Sequence, residues 1–256
     1  MLTYPACIPL STRTLSHLAE LLRAHRQTIG CRWRRLDPGR QALLVLAHLR
    51  NGDTYPRLAA GFGIGIATVY RYIREAVDLL ATHAPGLAEV IESASRLWYL
   101  ILDGTLIRID RVADDRPYYS GKHKRHGVNV QILADPRGQL LWASPASPGS
   151  THDLTAARIH GVVDALVDAD LWAYADLAYQ GASPHITVPF RRRPRRLSAN
   201  QRAVNRNRAR NRAPGERAVA TLKTWRLLAK LRCCPQRATT IIAAIRVLQT
   251  TEEQHP

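Results

Sequence analysis

The chain has 256 residues, of which 46% are hydrophobic, so it is long enough for one large or two unequal domains and is not wholly disordered. Its formal net charge of +17 makes a polyanion, nucleic acid first, the expected partner. The four cysteines form no zinc-ligand spacing, and no apolar run reaches the roughly 18 residues of a membrane span. We therefore predict a soluble, cytoplasmic protein without a signal peptide or membrane association.

Residues 1–85 are predicted to form a helical domain. Apolar residues recur at helical spacing from Leu15 to Ile29, and RQALLVLAHLRNGD predicts a second helix that ends at Asn51-Gly52. The next stretch, YPRLAAGFGIGIATVYRYIREAVDLL, predicts a short helix, a glycine-rich turn and a longer helix from about residue 66. Two helices around a short turn are typical of a helix-turn-helix.

The longer helix has one apolar and one polar face. A plain helical hairpin with a solvated polar face would give the same pattern, but the net charge favours DNA contact. The residues on the polar face that we predict to bind DNA are Thr68, Tyr70, Arg71 and Arg74.

After a predicted linker, residues 86–97, the pattern becomes that of strands. LWYLILDGTLIRID predicts a buried strand, and GVNVQILADPRGQLLWASPAS predicts a hairpin whose turn is Asp135-Pro136-Arg137-Gly138. A helix near residues 153–167, the strands LWAYADLAY and HITVPF, and a helical section from about residue 198 follow. Residues 98–256 are therefore predicted to form an α/β domain, a sheet covered by helices.

Two aspartates follow apolar strand segments. Asp103 comes after WYLIL and Asp176 after LWAYA, so each is predicted at or just past the end of a buried strand, facing a ligand-binding crevice. Neighbouring carboxylates repel unless a divalent cation lies between them, and Mg²⁺ favours carboxylate oxygens. The alternatives are an ordinary Asp-Gly turn for Asp103 and a loop carboxylate for Asp176.

Glu216 is the only acidic residue between Phe190 and Thr250, and 16 Lys and Arg lie between Arg191 and Arg237. A lone carboxylate among so many cations would be either a third metal ligand or one half of a surface ion pair. An exposed ion pair contributes at most about 1 kcal/mol.

Five segments occur in the order found in one known family: LDGTLIRI, YSGKHKRHGVNVQ, SPGSTHD, YADLAYQG and NRAPGERAVATLK. From about residue 12 to 250 the chain resembles the DDE transposases of bacterial insertion sequences, in the subgroup related to eukaryotic Harbinger elements. The resemblance implies an RNase H-like mixed-sheet catalytic domain after an all-α helix-turn-helix domain. It also implies that Asp103, Asp176 and Glu216 are the catalytic residues and hold Mg²⁺, with two ions expected and Mn²⁺ able to substitute.

The family surrounds its glutamate with the pattern Tyr-x₂-Arg-x₃-Glu-x₆-Lys. Arg212, Glu216 and Lys223 match this spacing, which implies DNA contacts for Arg212 and Lys223, but Ala209 stands where the family has tyrosine. Pro214 precedes the glutamate by two residues. Because proline is tolerated only in the first turn of a helix, a helix is predicted to start there, leaving Arg212 outside it.

The basic run KHKRH lies in a segment that the resemblance places beside the active site. Lys122, Lys124 and Arg125 are accordingly predicted to bind DNA, although a basic hairpin loop without a ligand fits the same residues. The pair His152-Asp153 also matches the family. A helix cap or a hydrogen bond to a metal-ligating residue explains the pair as easily as direct ligation does, and we assign it no metal.

The resemblance implies a transposase that recognises terminal inverted repeats in double-stranded DNA, cuts both element ends and joins the freed 3′-hydroxyls to target DNA. Cutting two ends together implies a dimer or larger assembly, and the family implies a bacterial, nucleoid-associated location. The alternatives are a nuclease of the same fold without strand transfer and an inactive DNA-binding regulator. A basic RNA-binding protein is disfavoured, because the chain shows no RNP-type aromatic strand and no GXXG loop.

Overall fold

The structure is a computed structural model that describes residues 7–31, 33–110, 116–191 and 196–253. The chain forms two compact units. The first comprises Met1–Ala84, Lys223–Ala229 and Thr240–Pro256, and the second comprises Pro85–Leu222 and Lys230–Thr239. In the described part of the chain, no helix is long and apolar enough to cross a membrane.

The first unit is helical. Its N-terminal helices are α1 (Thr12–Thr28), α2 (Pro38–Leu46), α3 (Tyr55–Phe62) and α4 (Ile66–Ala81). A π-helical turn, Ala47–Asn51, extends α2 and ends at Gly52, whose φ of 73° is left-handed. Gly63, also left-handed, ends α3, so the predicted order of short helix, glycine turn and longer helix is confirmed.

The end of the chain completes this helical unit. The last described helix, α9 (Pro235–Glu253), contributes its residues from Thr240 onward. The Glu252 carboxylate accepts hydrogen bonds from the Ser11 backbone N–H at 3.0 Å and from the Ser11 hydroxyl at 2.7 Å. Because Ser11 also caps α1, this contact ties the start of the first helix to the end of the last.

The second unit contains a seven-stranded mixed sheet. Its strands are β1 (Leu100–Arg108), β2 (Tyr119–Ser120), β3 (Arg125–Ala134), β4 (Leu140–Ala143), β5 (Ser147–Pro148), β6 (Ala173–Tyr174) and β7 (Ile186–Thr187). The order along the sheet is β2-β3-β1-β6-β7, with β4 and β5 also paired to β3. β1 runs antiparallel to β3 and parallel to β6. The predicted fold class, a mixed α/β sheet preceded by a helical region, is confirmed.

The helices of the second unit are α5 (Leu87–Ser93), α6 (Asp153–Ile159), α7 (Val162–Asp168) and α8 (Ala199–Lys223). Val90 of α5 and Leu166 of α7 are buried in one cluster with Leu100 and Leu102 of β1. The segment predicted as a linker, 86–97, thus contains a core helix. The C-terminal residues predicted to lie in the catalytic domain are shared between the two units, so the functional division at residue 98 remains a prediction.

Two predictions about the acidic residues are wrong. Asp103 is not at the end of its strand: it is the fourth residue of β1, which continues to Arg108 because its second half pairs with β3. No helix begins at Pro214, which lies inside the continuous helix α8. Asp176 follows β6 by two residues, as predicted.

Packing explains why α8 continues through proline. Gly215 is buried so closely against β1 that an added Cβ would lie 2.5 Å from Ile101 Cγ2, and the Pro214 carbonyl lies beside Gly138 of the β3–β4 hairpin. Proline forfeits one backbone hydrogen bond, and these contacts on both sides offset that loss. As a consequence, Arg212 and Glu216 stand one turn apart on the same helix face.

We expect Gly215→Ala to destabilise the protein by about 1–3 kcal/mol, because the new methyl group must displace α8 from β1. Urea unfolding measures this loss. Gly121→Ala is the matched control, since an added Cβ there meets nothing within 4 Å. Equal stability of the two variants would contradict the close packing of α8 on the sheet.

Candidate active site

Asp103 is a half-buried carboxylate in the middle of the sheet. Burial raises its pKa from the ordinary 3.8 to about 6, against the opposing effects of the Gly104 N–H, which donates to Asp103 Oδ1 at 2.9 Å, and of the Arg212 guanidinium. The carboxylates of Asp176 and Asp153 raise this pKa further. Three acidic side chains therefore interact electrostatically at this point of the sheet.

Asp176 is placed by a short 3₁₀ turn that follows β6. Its Oδ1 accepts the backbone N–H of Ala178 at 2.8 Å and so caps the turn Leu177–Tyr179. With Gly104, Lys122 and Asp153, Asp176 lines a cleft of about 420 Å³. Asp176 is therefore accessible from this open cleft.

Asp153 begins α6 and stands against the strand that carries Asp103. Its Oδ1 accepts a hydrogen bond from Asn129 Nδ2 at 2.8 Å, and its Oδ2 pairs with Lys122 Nζ at 3.3 Å. A Cβ on Gly104 would overlap this carboxylate, so only glycine leaves room for it. His152 caps α6 through its ring Nδ1, which confirms the helix-cap interpretation of that residue.

A buried chain of hydrogen bonds runs beneath the carboxylates. The Tyr179 hydroxyl donates to Gln131 Oε1 at 2.5 Å, Gln131 Nε2 donates to Asn129 Oδ1 at 2.9 Å, and Asn129 donates to Asp153. Burial first, and the nearby carboxylates second, raise the pKa of Tyr179 well above its ordinary value, so its hydroxyl stays a donor. The chain joins the turn that carries Asp176 to the carboxylate of Asp153.

Glu216 lies outside this group of carboxylates. Its side chain is 66% exposed and pairs with Arg212 at 3.4 Å, while Arg212 in turn lowers the pKa of Asp103. Among the described residues, no three His, Cys, Asp or Glu side chains come close enough to hold one metal ion. The carboxylates of Asp103 and Asp176 interact electrostatically, whereas Glu216 is not among the charges that shift the pKa of Asp103, and the metal role of all three stays a prediction.

The residues present fit a divalent cation. Asp103 and Asp176 supply carboxylate oxygens, which Mg²⁺ and Mn²⁺ prefer. Burial and mutual repulsion disfavour the ionised form of Asp103, as its raised pKa shows, and a cation between the carboxylates would relieve that repulsion. Asp103 and Asp176 could therefore bind a metal ion, whereas Asp153 already pairs with the Lys122 ammonium group.

Three of the predicted DNA-binding residues of the second unit lie at the β2–β3 hairpin: Lys122 and Lys124 are in the turn, and Arg125 is the first residue of β3. Lys122 pairs with Asp153, Lys124 has a left-handed φ of 50°, and Arg125 Nε donates to the His123 carbonyl at 3.2 Å. All three predicted side chains are exposed, and Lys122 also lines the cleft that Asp176 faces. The turn thus places positive charge beside the carboxylates.

Four of the predicted DNA-binding residues of the first unit form two pairs on α4. Arg71 donates to the Thr68 hydroxyl at 3.3 Å, and Arg74 donates to the Tyr70 hydroxyl at 3.2 Å. Both arginines are exposed. Lys223, the last residue of α8, belongs to the first unit, and its predicted phosphate contact stays a prediction.

The pKa of Asp103 predicts a pH-dependent stability. Because the folded-state pKa of about 6 lies above the ordinary 3.8, the protonated group stabilises the fold at low pH, and this contribution is lost as the pH rises from about 4 through 6. We expect metal-free Asp103→Asn to match the wild type near pH 4 and to exceed its free energy of unfolding by about 1–3 kcal/mol at pH 7.5. Urea unfolding across this pH range checks the difference, and an equal difference at all pH values would contradict it.

Sequence reasoning missed Asn129, Gln131 and Tyr179. The available signal was in β3, where GVNVQILA has two amides at alternate positions of an otherwise apolar strand. Alternate residues of a strand share a face, so two buried amides on one face predict a polar partner there.

Comparisons with known proteins agree on a family. The family model described as "DDE superfamily endonuclease" matches residues 102–249, more than half of the chain, and the model described as "Helix-turn-helix of DDE superfamily endonuclease" matches residues 34–86. No solved structure matches the chain significantly.

Two curated relatives carry the name "Putative nuclease HARBI1". The Xenopus laevis protein is 22% identical over 183 residues, covering 64% of this chain and 53% of the relative. The Rattus norvegicus protein is 24% identical over 182 residues, covering 64% of this chain and 52% of the relative. The chain therefore spans about half the length of the curated relatives it matches.

Proposed function

The chain belongs to the DDE superfamily of endonucleases, and we propose that it is a DNA transposase that cuts the ends of its own element and transfers the freed strands. In this proposal α3 and α4 recognise terminal inverted repeats, and the carboxylates of the second unit serve phosphodiester cleavage. The element would be a bacterial insertion sequence, and the protein would work at the nucleoid. The matched helix-turn-helix and the net charge of +17 support DNA as the substrate.

The observation that carries the proposal is the electrostatic interaction of Asp103 with Asp176, which lines one cleft together with Lys122. Asp103 and Asp176 would hold Mg²⁺, and Glu216 is proposed to complete the site. The chemistry that a bound ion would supply there is activation of a water or 3′-hydroxyl and stabilisation of charge on the leaving oxygen. Asp153 holds Lys122 at 3.3 Å and so keeps a cation where a DNA phosphate would enter.

Arg212 interacts with both Glu216, the proposed third acidic residue of the site, and Asp103, the first. Its guanidinium pairs with Glu216 and interacts with Asp103. We assign Arg212 the task of holding a phosphate next to the cut, because a guanidinium binds phosphate oxygens in a fixed, planar geometry. Since both element ends must be cut in one complex, the active form is proposed to contain at least two copies of the chain.

A nuclease without strand transfer is the second candidate, favoured by the nuclease name of both curated relatives. It would use the same carboxylates and need no element ends. A DNA-binding regulator without activity is the third, favoured by Ala209 at the position where the family has tyrosine.

The deciding experiment uses a plasmid that carries the gene with its native flanking DNA. Purified protein and Mg²⁺ are added, strand breaks are mapped to the nucleotide, and joined products are sequenced, for the wild type, Glu216→Gln and the exposed control Glu92→Gln. Breaks at inverted repeats on both sides with joined products, retained in the control and lost in Glu216→Gln, are expected. Breaks without joining would identify the nuclease, and binding at the flanks without breaks would identify the regulator.

A further inference from the structure

The first unit contains a basic cleft. It measures about 770 Å³ and lies among the π-helical turn, the start of α3 and the segment Lys223–Ala229. The charged residues that line it are Arg50, Asp53, Arg57, Lys223 and Arg226. Four basic groups and one acidic group leave this lining with a net charge of +3.

Arg50 is held rigidly at this cleft. Its guanidinium carbon lies 5.4 Å from the ring centroid of the buried Trp225, and Nη1 donates to the Thr224 hydroxyl. Its Nε is buried without a hydrogen-bond partner among the described residues. A planar cation fixed on an aromatic face is pre-organised to bind an anion, because little side-chain entropy is lost on binding.

Arg226 lies beside the same turn. A Cβ added at Gly52, which has a left-handed conformation, would make an ordinary van der Waals contact of 3.6 Å with the Arg226 Cβ. The two arginines line a common space and repel each other. Burial lowers the pKa of Arg50 most, the carboxylate of Glu252 raises it, and the positive charge of Arg226 lowers it by a smaller amount. An anion bound between two such cations would relieve their repulsion.

The cleft borders the surface already predicted to bind DNA. Arg57 and Tyr55 both belong to the first turn of α3, and the Tyr55 ring lies 6.0 Å from the ring of Tyr70 on α4. In a helix-turn-helix the second helix enters the major groove while the first crosses the sugar–phosphate backbone. The start of α3 is therefore where the backbone next to the recognised bases passes.

We propose that the cleft formed by Arg50, Arg57 and Arg226 binds the sugar–phosphate backbone of duplex DNA beside the segment read by α4. The proposal rests on the proposed function, since it takes double-stranded DNA as the partner. It adds a second contact area, to which residues more than 140 positions after α4 contribute. Asp53 limits this contact, because its carboxylate pairs with Arg57 at 3.3 Å and neutralises one of the cations.

The test measures binding of the full chain to a duplex of native flanking DNA, without divalent ions, over a series of salt concentrations. Arg226→Ala is expected to weaken binding about three- to tenfold and to reduce the salt slope by about one, since one phosphate contact is lost. Asp53→Asn is expected to act in the opposite direction, with tighter binding and a steeper slope, because it frees Arg57. A variant that merely damages the fold would not bind more tightly.

Arg23→Ala is the control, an exposed arginine of α1 outside the cleft that should bind as the wild type does. If the wild type cuts flanking DNA but Arg226→Ala and Asp53→Asn bind like Arg23→Ala, the cleft proposal fails and the proposed function stands. If the wild type does not bind the duplex, both fail. The assignment to DNA would also be overturned if the protein bound polyglutamate of matched charge as tightly as it binds the duplex.

Discussion

Asp103→Asn is expected to reduce DNA cleavage by at least about a thousandfold while DNA binding stays within about twofold of the wild type. Asparagine keeps the size of the side chain and its acceptor for the Gly104 N–H, but it removes the charge that a divalent cation would require. Single-turnover cleavage of a labelled duplex with Mg²⁺ measures the first quantity, and a gel-shift titration measures the second.

Asp164→Asn provides the control for this substitution, because Asp164 is an exposed carboxylate of α7 in the same unit. It should cleave at the wild-type rate. Substantial cleavage by Asp103→Asn would remove Asp103 from the catalytic group. Loss of binding together with cleavage would show instead that the substitution disturbs the fold, which unfolding of the same preparation detects.

Gln131→Met is expected to destabilise the protein by about 2–5 kcal/mol. Methionine fills nearly the same volume as glutamine, so the loss of stability comes from unpaired polar groups. The Tyr179 hydroxyl loses its acceptor, and the Asn129 Oδ1 loses its donor. Each unpaired group costs about 1–3 kcal/mol in a buried site. Urea unfolding measures the effect. The exposed Gln139→Met should change the free energy of unfolding by less than about 0.5 kcal/mol.

The same substitution is expected to slow cleavage in the molecules that remain folded. Asn129 orients the Asp153 carboxylate, and Tyr179 anchors the turn whose cap is Asp176. Tyr179→Phe removes only the first donor of this hydrogen-bond chain. It should therefore reduce the free energy of unfolding and the cleavage rate less than Gln131→Met does. If the two substitutions prove additive in a double-mutant cycle, the hydrogen bonds do not act as one chain.

The candidate carboxylates were predictable because their signal is local. The apolar runs WYLILD and LWAYAD each end in a single acidic residue, a pattern that predicts a buried strand carrying a charge. In the structure, the carboxylates of Asp103 and Asp176 interact electrostatically. The glycine turn between α3 and α4 was predictable for the same reason, since left-handed backbone conformations favour glycine strongly enough to be read from sequence.

The features that could not be predicted depend on distant contacts. Pro214 predicts a helix start by local rules, but packing of Gly215 on Ile101 and of the Pro214 carbonyl beside Gly138 keeps α8 continuous. The return of the chain end to the first unit depends on contacts such as that of Glu252 with Ser11, which are 241 residues apart. No local sequence pattern predicts a contact between residues so far apart in the chain.

Binding of Mn²⁺ to the protein–DNA complex, followed by electron paramagnetic resonance, tests most directly whether Asp103 and Asp176 together hold a divalent cation. The complexes compared are those of the wild type, Asp103→Asn, Asp176→Asn and the control Asp164→Asn. We predict that the wild type and Asp164→Asn bind Mn²⁺ equally and that each of the other two variants binds at least about tenfold more weakly. Mn²⁺ binding by Asp103→Asn and Asp176→Asn with wild-type affinity would contradict the account.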